Sequence, residues 1–215
     1  NLPFECLMAS FSCKCGKVNV AFGVDQCLTR VNCCCCDCLQ KLEWAAANGG
    51  PAVPEAYVNK EVPVTGEHWS GKMVVTAKEN LTFNKIRENG MSKNCVAKCC
   101  STILFIDHPA YQGNCVYIFP DIVDLKNAKH PEKSLINSFT SDWSEEEQQK
   151  LDSSLPFSFS DGNGGFSGTG TWGEVLQHAM GLWSQPVEGE GQTFAELLAE
   201  SGGTVDNLGL EPRVK

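Results

Sequence analysis

Thirteen cysteines in a chain of 215 residues all lie between Cys6 and Cys115, and the last 100 residues hold none. Most fall in tight groups rather than at intervals. The first is Cys13-Lys14-Cys15-Gly16. The second is Asn32-Cys33-Cys34-Cys35-Cys36-Asp37-Cys38. The third is Cys95-Val96-Ala97-Lys98-Cys99-Cys100. A disulfide framework spaces its cysteines through the fold, and adjacent cysteines do not easily bridge each other. The odd count also argues against full pairing. The pattern therefore points to thiolate–metal chemistry, and with it to a reducing intracellular compartment. Cytoplasm and an organelle such as a plastid or mitochondrion, entered after leader removal, both satisfy that expectation.

Zinc takes thiolates in a tetrahedron, with Zn–S near ~2.3 Å. Two thiolates one or two residues apart on a turn reach a single ion without straining the backbone. The first and third groups supply two ligands each, enough for a closed structural site joining the amino-terminal strand to one near residue 100. The run supplies Cys33, Cys35 and Cys38 at C-x-C-x-x-C spacing. Three protein ligands leave a fourth position for water or substrate, which is the usual arrangement of catalytic zinc. Cys34 and Cys36 alternate to the other face and read as small apolar filler, with a second metal or a redox role as the other readings.

Charge divides the chain as the cysteines do. Residues 1–130 carry 13 Lys+Arg against 12 Asp+Glu, and residues 131–215 carry 4 against 14. The expected organisation is a Cys-rich β domain over 1–130 and an acidic, Gly-rich extension over 131–215. A net charge of -9 leaves no basic footprint for nucleic acid. No apolar run is long enough for a transmembrane helix.

The body reads as short strands: Lys17–Phe22, Cys27–Val31, Ala56–Val58, Met73–Thr76, Leu81–Phe83, Thr102–Ile106 and Cys115–Phe119. Many short strands between turn residues suggest a mainly β sandwich or tent. In the extension, Asp142-x-x-Glu145, Thr171-x-x-Glu174 and Thr193-x-x-Glu196 have capping-box spacing. They predict short helices near 143–152, 172–183 and 194–201, the last closed by Gly202-Gly203. Asp161 to Gly170 holds five glycines and reads as a flexible linker, because no P-loop or dinucleotide spacing is met.

SCKCGKV at 12–18, CCCDCLQK at 34–41 and CVAKCCSTILF at 95–105 resemble the three-part signature of the glutathione-dependent formaldehyde-activating enzyme and centromere protein V family. Asp107-His108-Pro109-Ala110-Tyr111 is similar to a D-H-P-x-Y segment that follows the third motif in some members. The resemblance covers residues 10–125 and implies an Mss4-like β-tent. It implies a structural zinc on Cys13, Cys15, Cys95 and Cys99, and a catalytic zinc on Cys33, Cys35 and Cys38. The third motif departs from the family. Three residues separate Cys95 from Cys99, and Cys100 stands where glycine is usual, which makes Cys100 a substitute ligand. The implied activity is that of a carbon–sulfur lyase adding glutathione's thiol to formaldehyde or a related small aldehyde. The other reading is a catalytically silent, zinc-stabilised scaffold. It would dock on a larger assembly through residues 131–215, where Trp143, Trp172 and Trp183 ask for a contact surface. His108 is the candidate proton shuttle.

Overall fold

The computed structural model describes residues 8–160 and 166–213. The strands are β1 (Ser10–Ser12), β2 (Asn19–Phe22), β3 (Thr29–Cys33), β4 (Val64–Ser70), β5 (Met73–Val75), β6 (Leu81–Lys85), β7 (Lys93–Ala97), β8 (Thr102–Asp107), β9 (Cys115–Ile118), β10 (Asn137–Ser138), β11 (Ser158–Ser160), β12 (Phe166–Gly168) and β13 (Asp206–Asn207). The helices are α1 (Cys36–Ala47), α2 (Glu55–Val58), α3 (Glu145–Gln148), α4 (Trp172–Trp183) and α5 (Phe194–Glu200). The architecture is mainly β.

An eight-stranded mixed sheet in the order β10-β3-β4-β9-β8-β7-β6-β13 dominates. Its inner pairings are antiparallel, while β10 on β3 and β13 on β6 are parallel. A second sheet, β1-β2-β5, covers one face. There Phe11, Phe22, Trp69, Met73, Phe83 and Phe105 pack, with Phe22 stacked 4.9 Å from Trp69. Helix α1 covers the other face with Leu39, Leu42 and Ala45, against Val31, Val64, Ile103, Ile106 and Tyr117. Because the sheet is covered on both sides, its central strands are buried almost throughout, and polar–apolar alternation is lost. β4 shows this: Glu67, His68 and Ser70 are all buried.

Residues 131–213 are part of this body. They place β10 and β13 at opposite ends of the large sheet, and Phe194 and Leu197 enter the core beneath the second sheet. Trp143 packs on Cys34 and Leu151, Trp172 joins the α1-side cluster, and Trp183 lies 4.4 Å from the ring of His68. The three aromatic residues thus find their contacts within the chain.

Three expectations need correction. Ala56–Val58 is helical, inside α2, with Pro54 as its N-cap. Its aromatic and β-branched residues suggest a strand, but four residues after a proline close a helical turn instead. The first capping box of the extension sits two residues later than expected, with Ser144 and Glu147 as its partners. Thr171 makes no side-chain cap bond, although α4 spans the expected residues. The box of Thr193 and Glu196 forms as expected, and Gly202 and Gly203 both take positive φ after α5. The first half of the glycine-rich stretch, 161–165, lies outside the described residues; 166–168 forms β12 against β11. Among the described residues no helix is long and apolar enough to cross a membrane.

Candidate metal centres

None of the described cysteines forms a disulfide. Two groups of sulfur atoms converge instead. Cys13, Cys15, Cys99 and Cys100 form one, and Cys33, Cys35 and Cys38 the other, with all sulfurs of a group within 4.8 Å of one another.

The first group joins two turns. After β1 the chain reverses through Gly16, whose φ of 77° suits glycine, and the Gly16 amide donates to the Cys13 carbonyl at 2.8 Å. The β7–β8 turn brings up Cys99 and Cys100, with the Ser101 amide donating to the Ala97 carbonyl at 2.7 Å. The Lys14 amide fastens the two together by donating to Thr102 Oγ1 at 3.0 Å, and its ammonium donates to the Gly50 carbonyl, beyond α1, at 2.9 Å. Cys13 Sγ then lies 3.6 Å from Cys15 Sγ and 3.8 Å from Cys99 Sγ, Cys15 lies 3.2 Å from Cys99, and Cys99 4.0 Å from Cys100. Thiolates at ~2.3 Å from a tetrahedral ion stand about 3.8 Å apart. The spread of sulfur distances brackets that edge, so the four residues fit a zinc ion. Burial opposes ionisation of Cys100, yet donors around it, Thr102 foremost, outweigh burial and lower the thiol to about 6. Burial pushes the Cys13 and Cys99 thiols the other way, upward, so the four sulfurs ionise together only around a cation.

Cys95 does not join this group. It sits in β7 opposite Phe83 and Phe105, fully buried in the core. Alternation in β7 sends Cys95 and Ala97 into the apolar layer, and only after the strand ends can a thiol turn towards Cys13 and Cys15. With the extra residue between Cys95 and Cys99, Cys95 stays in the strand; Cys99 keeps its place as a ligand and Cys100 takes the place expected of Cys95. That departure was the available signal in the sequence.

The second group stands where β3 runs into α1. Cys33 ends the strand, facing the α1 side with Val31, and Cys38 lies in the first turn of the helix. Cys35 is the helix N-cap, its sulfur accepting from the Cys38 amide at 3.3 Å. An N-cap sulfur replaces the usual oxygen, so one first-turn amide, that of Cys38, is turned on the thiolate cluster. Cys33 Sγ lies 3.2 Å from Cys35 Sγ and 3.4 Å from Cys38 Sγ. Sulfurs so close cannot all ionise without a cation. Hydrogen bonds to Cys35 and Cys38 push the Cys33 thiol well above its ordinary range, while those from Cys33 and Cys35 hold Cys38 well below it. Three thiolates around a divalent ion carry one net negative charge. The buried Lys41 side chain, on the next turn of α1, favours the charged forms of Cys35 and Cys38. This set also fits zinc, and among the described residues no fourth His, Cys, Asp or Glu completes it.

Cys34 and Cys36 do point away from this centre. Cys34 is buried against Trp143 and Leu151. Cys36 donates from its thiol to Asp142 Oδ2 at 3.0 Å, and its amide donates to the same oxygen at 3.1 Å. A cavity of about 400 Å³ opens beside Cys33 and Cys35, lined also by Tyr57, Lys60, Asp142, Trp143 and Glu147. Lys60 pairs with Glu147 at 3.1 Å across it. The D-H-P-x-Y segment does not line this cavity. His108 caps a single 3-10 turn, Pro109–Tyr111, by accepting from the Ala110 amide at 3.1 Å. Tyr111 meets His68 Nε2 at 3.1 Å, and His68 Nδ1 meets Thr29 Oγ1 at 2.7 Å. Sequence reasoning missed Tyr117, which sits in no cysteine motif and which the sheet packs in one cluster with Cys33 and Cys38, and it missed the burial of Lys41 at the end of the CCCDCLQK motif.

Comparison with protein-family models finds no match, and no curated protein matches the chain. The fold and the two centres define a class: a mainly β protein whose two cysteine-rich groups are compatible with zinc.

Proposed function

We propose that the chain is a zinc-dependent carbon–sulfur lyase-type enzyme with an Mss4-like fold. Its reaction is the addition of a small thiol, glutathione in the first instance, to formaldehyde or a related aldehyde. The observation that carries this reading is the incomplete trio: Cys33, Cys35 and Cys38 converge, no fourth side chain joins them among the described residues, and a cavity lies alongside. A closed four-thiolate site holds a fold together, whereas a three-ligand site receives a molecule. The group of Cys13, Cys15, Cys99 and Cys100 has the structural role in this account.

When bound at the trio, zinc would lower the pKa of a substrate thiol and hold it as thiolate. The chain's own residues do the rest. Leu39 and Val64 line the cavity and limit water near Cys33 and Cys35, while Lys60 and Asp142 offer charged groups to a polar substrate. Lys41 offsets the negative charge of the thiolates from the protein side. In the reaction the thiol sulfur bonds to the aldehyde carbon, the C=O π pair moves to oxygen, and the thiol proton ends on that oxygen as a hydroxyl.

The scaffold reading drew on the aromatic residues of the extension, and these are used within the chain. The test is formaldehyde consumption with and without glutathione, on full-length protein of measured metal content. Acceleration that is lost in Cys38→Ser, with the fold intact by circular dichroism, is the expected result. No acceleration by protein carrying two ions would overturn the reading.

A further inference from the structure

The chain around the trio is fastened to the extension at alternate residues. β3 and β10 pair in parallel, with Asn137 opposite Asn32 and Ser138 opposite Cys33. The Asn32 amide donates to the Ile136 carbonyl at 3.0 Å, and the Cys34 amide to the Ser138 carbonyl at 2.9 Å. Past Cys34 the chain turns into α1 and β10 has ended. The next amide of the series, that of Cys36, donates to a side chain instead, Asp142 Oδ2, at 3.1 Å, and the Cys36 thiol donates to the same oxygen at 3.0 Å. Residues 32, 34 and 36 thus hold the extension, while Cys33, Cys35 and Cys38 turn their sulfurs to one another.

The turn that delivers Asp142 is imposed on the backbone. Phe139, between β10 and the single 3-10 turn Thr140–Asp142, has a φ of 58°. A bulky residue takes that left-handed conformation only where its surroundings dictate it. Here the Thr140 hydroxyl donates to the Ser158 carbonyl at 3.1 Å, and Gln148 Nε2 donates to the carbonyls of Thr140 at 3.0 Å and Trp143 at 2.9 Å. The carboxylate so placed takes an amide that α1 itself cannot satisfy, because the first amides of a helix have no partner within it. It also sets negative charge at the positive end of the helix.

We propose that Asp142 is a positioning residue of the trio: acting through Cys36, it fixes the first turn of α1 and so the place of Cys38 relative to Cys33 and Cys35. This rests on the trio holding a metal ion. It goes further in making residues 136–142 of the extension part of that centre. Cys36 is next to Cys35 and two residues before Cys38, so a shift of its amide disturbs two ligands at once. The centre of Cys13, Cys15, Cys99 and Cys100 is built on other turns and serves as the internal control.

The test follows zinc release from the full chain into excess 4-(2-pyridylazo)resorcinol, the trio's kinetic phase being the one that Cys38→Ser deletes. Asp142→Ala should speed that phase about tenfold and leave the other unchanged, the scale seen when a residue that orients a metal ligand is lost. Asp142→Asn keeps an acceptor oxygen on the same stem and should recover most of the retention. Thr193→Ala removes the cap of α5, whose Phe194 and Leu197 pack under the second sheet, so it should lower the melting temperature without altering the trio phase. Equal acceleration of both phases in Asp142→Ala, an unchanged trio phase, or release from Asp142→Asn as fast as from Asp142→Ala would each overturn the proposal. Cys36→Pro gives a second perturbation that leaves Asp142 in place and decides the matter if Asp142→Ala does not fold. Proline suits the first position of a helix, and Cys35, at φ -66° and ψ 137°, has the backbone that precedes a proline. Both donors to Asp142 are lost in that variant, so the trio phase should quicken by a similar factor; wild-type retention would overturn the proposal. If Cys38→Ser deletes no phase, the trio holds no metal, and that reading fails together with the inference.

Discussion

Cys95 and Cys100 can be told apart by two substitutions. Cys95→Ala removes a sulfur from the core beside Phe83 and Phe105, where the residue is fully buried. Loss of that one buried atom costs about 1–2 kcal/mol, by comparison with larger core truncations. Metal content should not change. Cys100→Ser removes one of four converging sulfurs. Even changes to residues that only hold a ligand in place weaken metal sites by roughly 10- to 100-fold, so loss of a ligand should cost at least about 100-fold, or about 2.7 kcal/mol. Metal that binds only the folded chain passes this loss to stability. For a chain of this size 1 kcal/mol moves the melting temperature by roughly 2–4 °C, giving a fall of about 5–11 °C. The decisive assay is zinc retained per chain after a timed challenge with EDTA, alongside the melt. Cys100→Ser should lose one ion quickly and Cys95→Ala should hold both. The reverse pattern would refute the placement of Cys95 in the core and of Cys100 in the cluster.

Other outcomes follow from single observations. Gly66→Ala forces a methyl into the Tyr117 ring and should destabilise the chain by about 1–3 kcal/mol in urea unfolding, an effect relieved by Tyr117→Leu in the double variant. His68 gives a pH signature, since burial lowers its pKa to about 3. Below the ordinary value of 6.5 the unfolded chain takes up a proton that the folded chain refuses. The associated stability is thus present above pH 6.5 and is lost as pH falls towards 3. Relative to His68→Gln, wild type should lose about 2 kcal/mol between pH 7 and pH 5. The comparison cancels proton competition at the cysteines, and a difference independent of pH would contradict a buried neutral imidazole. Arg87 donates to both oxygens of Asp37 at 2.7 and 2.8 Å and to Gln40 at 2.7 Å, which ties the first turn of α1 to the chain beyond β6. Arg87→Ala should lower the melting temperature by a few degrees, with faster EDTA release from the trio than from the other centre.

The convergence of sulfurs was legible because ligand spacing is local. C-x-C on a turn and C-x-C-x-x-C at a strand-to-helix junction each bring their thiols together without help from the rest of the fold. Helix α1 was not legible, because its N-cap is the Cys35 sulfur and no Ser, Thr, Asp or Asn marks its start. The run Leu39, Leu42, Ala45 before Asn48-Gly49 was the signal available. β4 was hidden because Glu67 and His68 are polar residues on a doubly covered strand. Glu67 is satisfied by Trp69 Nε1 at 3.1 Å and His130 Nδ1 at 2.8 Å, partners that only tertiary structure supplies. The same holds for the contacts of the extension: α4 and α5 were readable from capping-box spacing, although only the box of α5 forms, but the parallel pairing of β10 and β13 on the sheet was not.

Anomalous diffraction at the zinc edge, with elemental analysis of the same sample, tests the central claim most directly. The account requires two peaks per chain, one among the sulfurs of Cys13, Cys15, Cys99 and Cys100 and one against those of Cys33, Cys35 and Cys38. Continuous S–S density within either group, or sulfurs with no heavy atom between them, would contradict it.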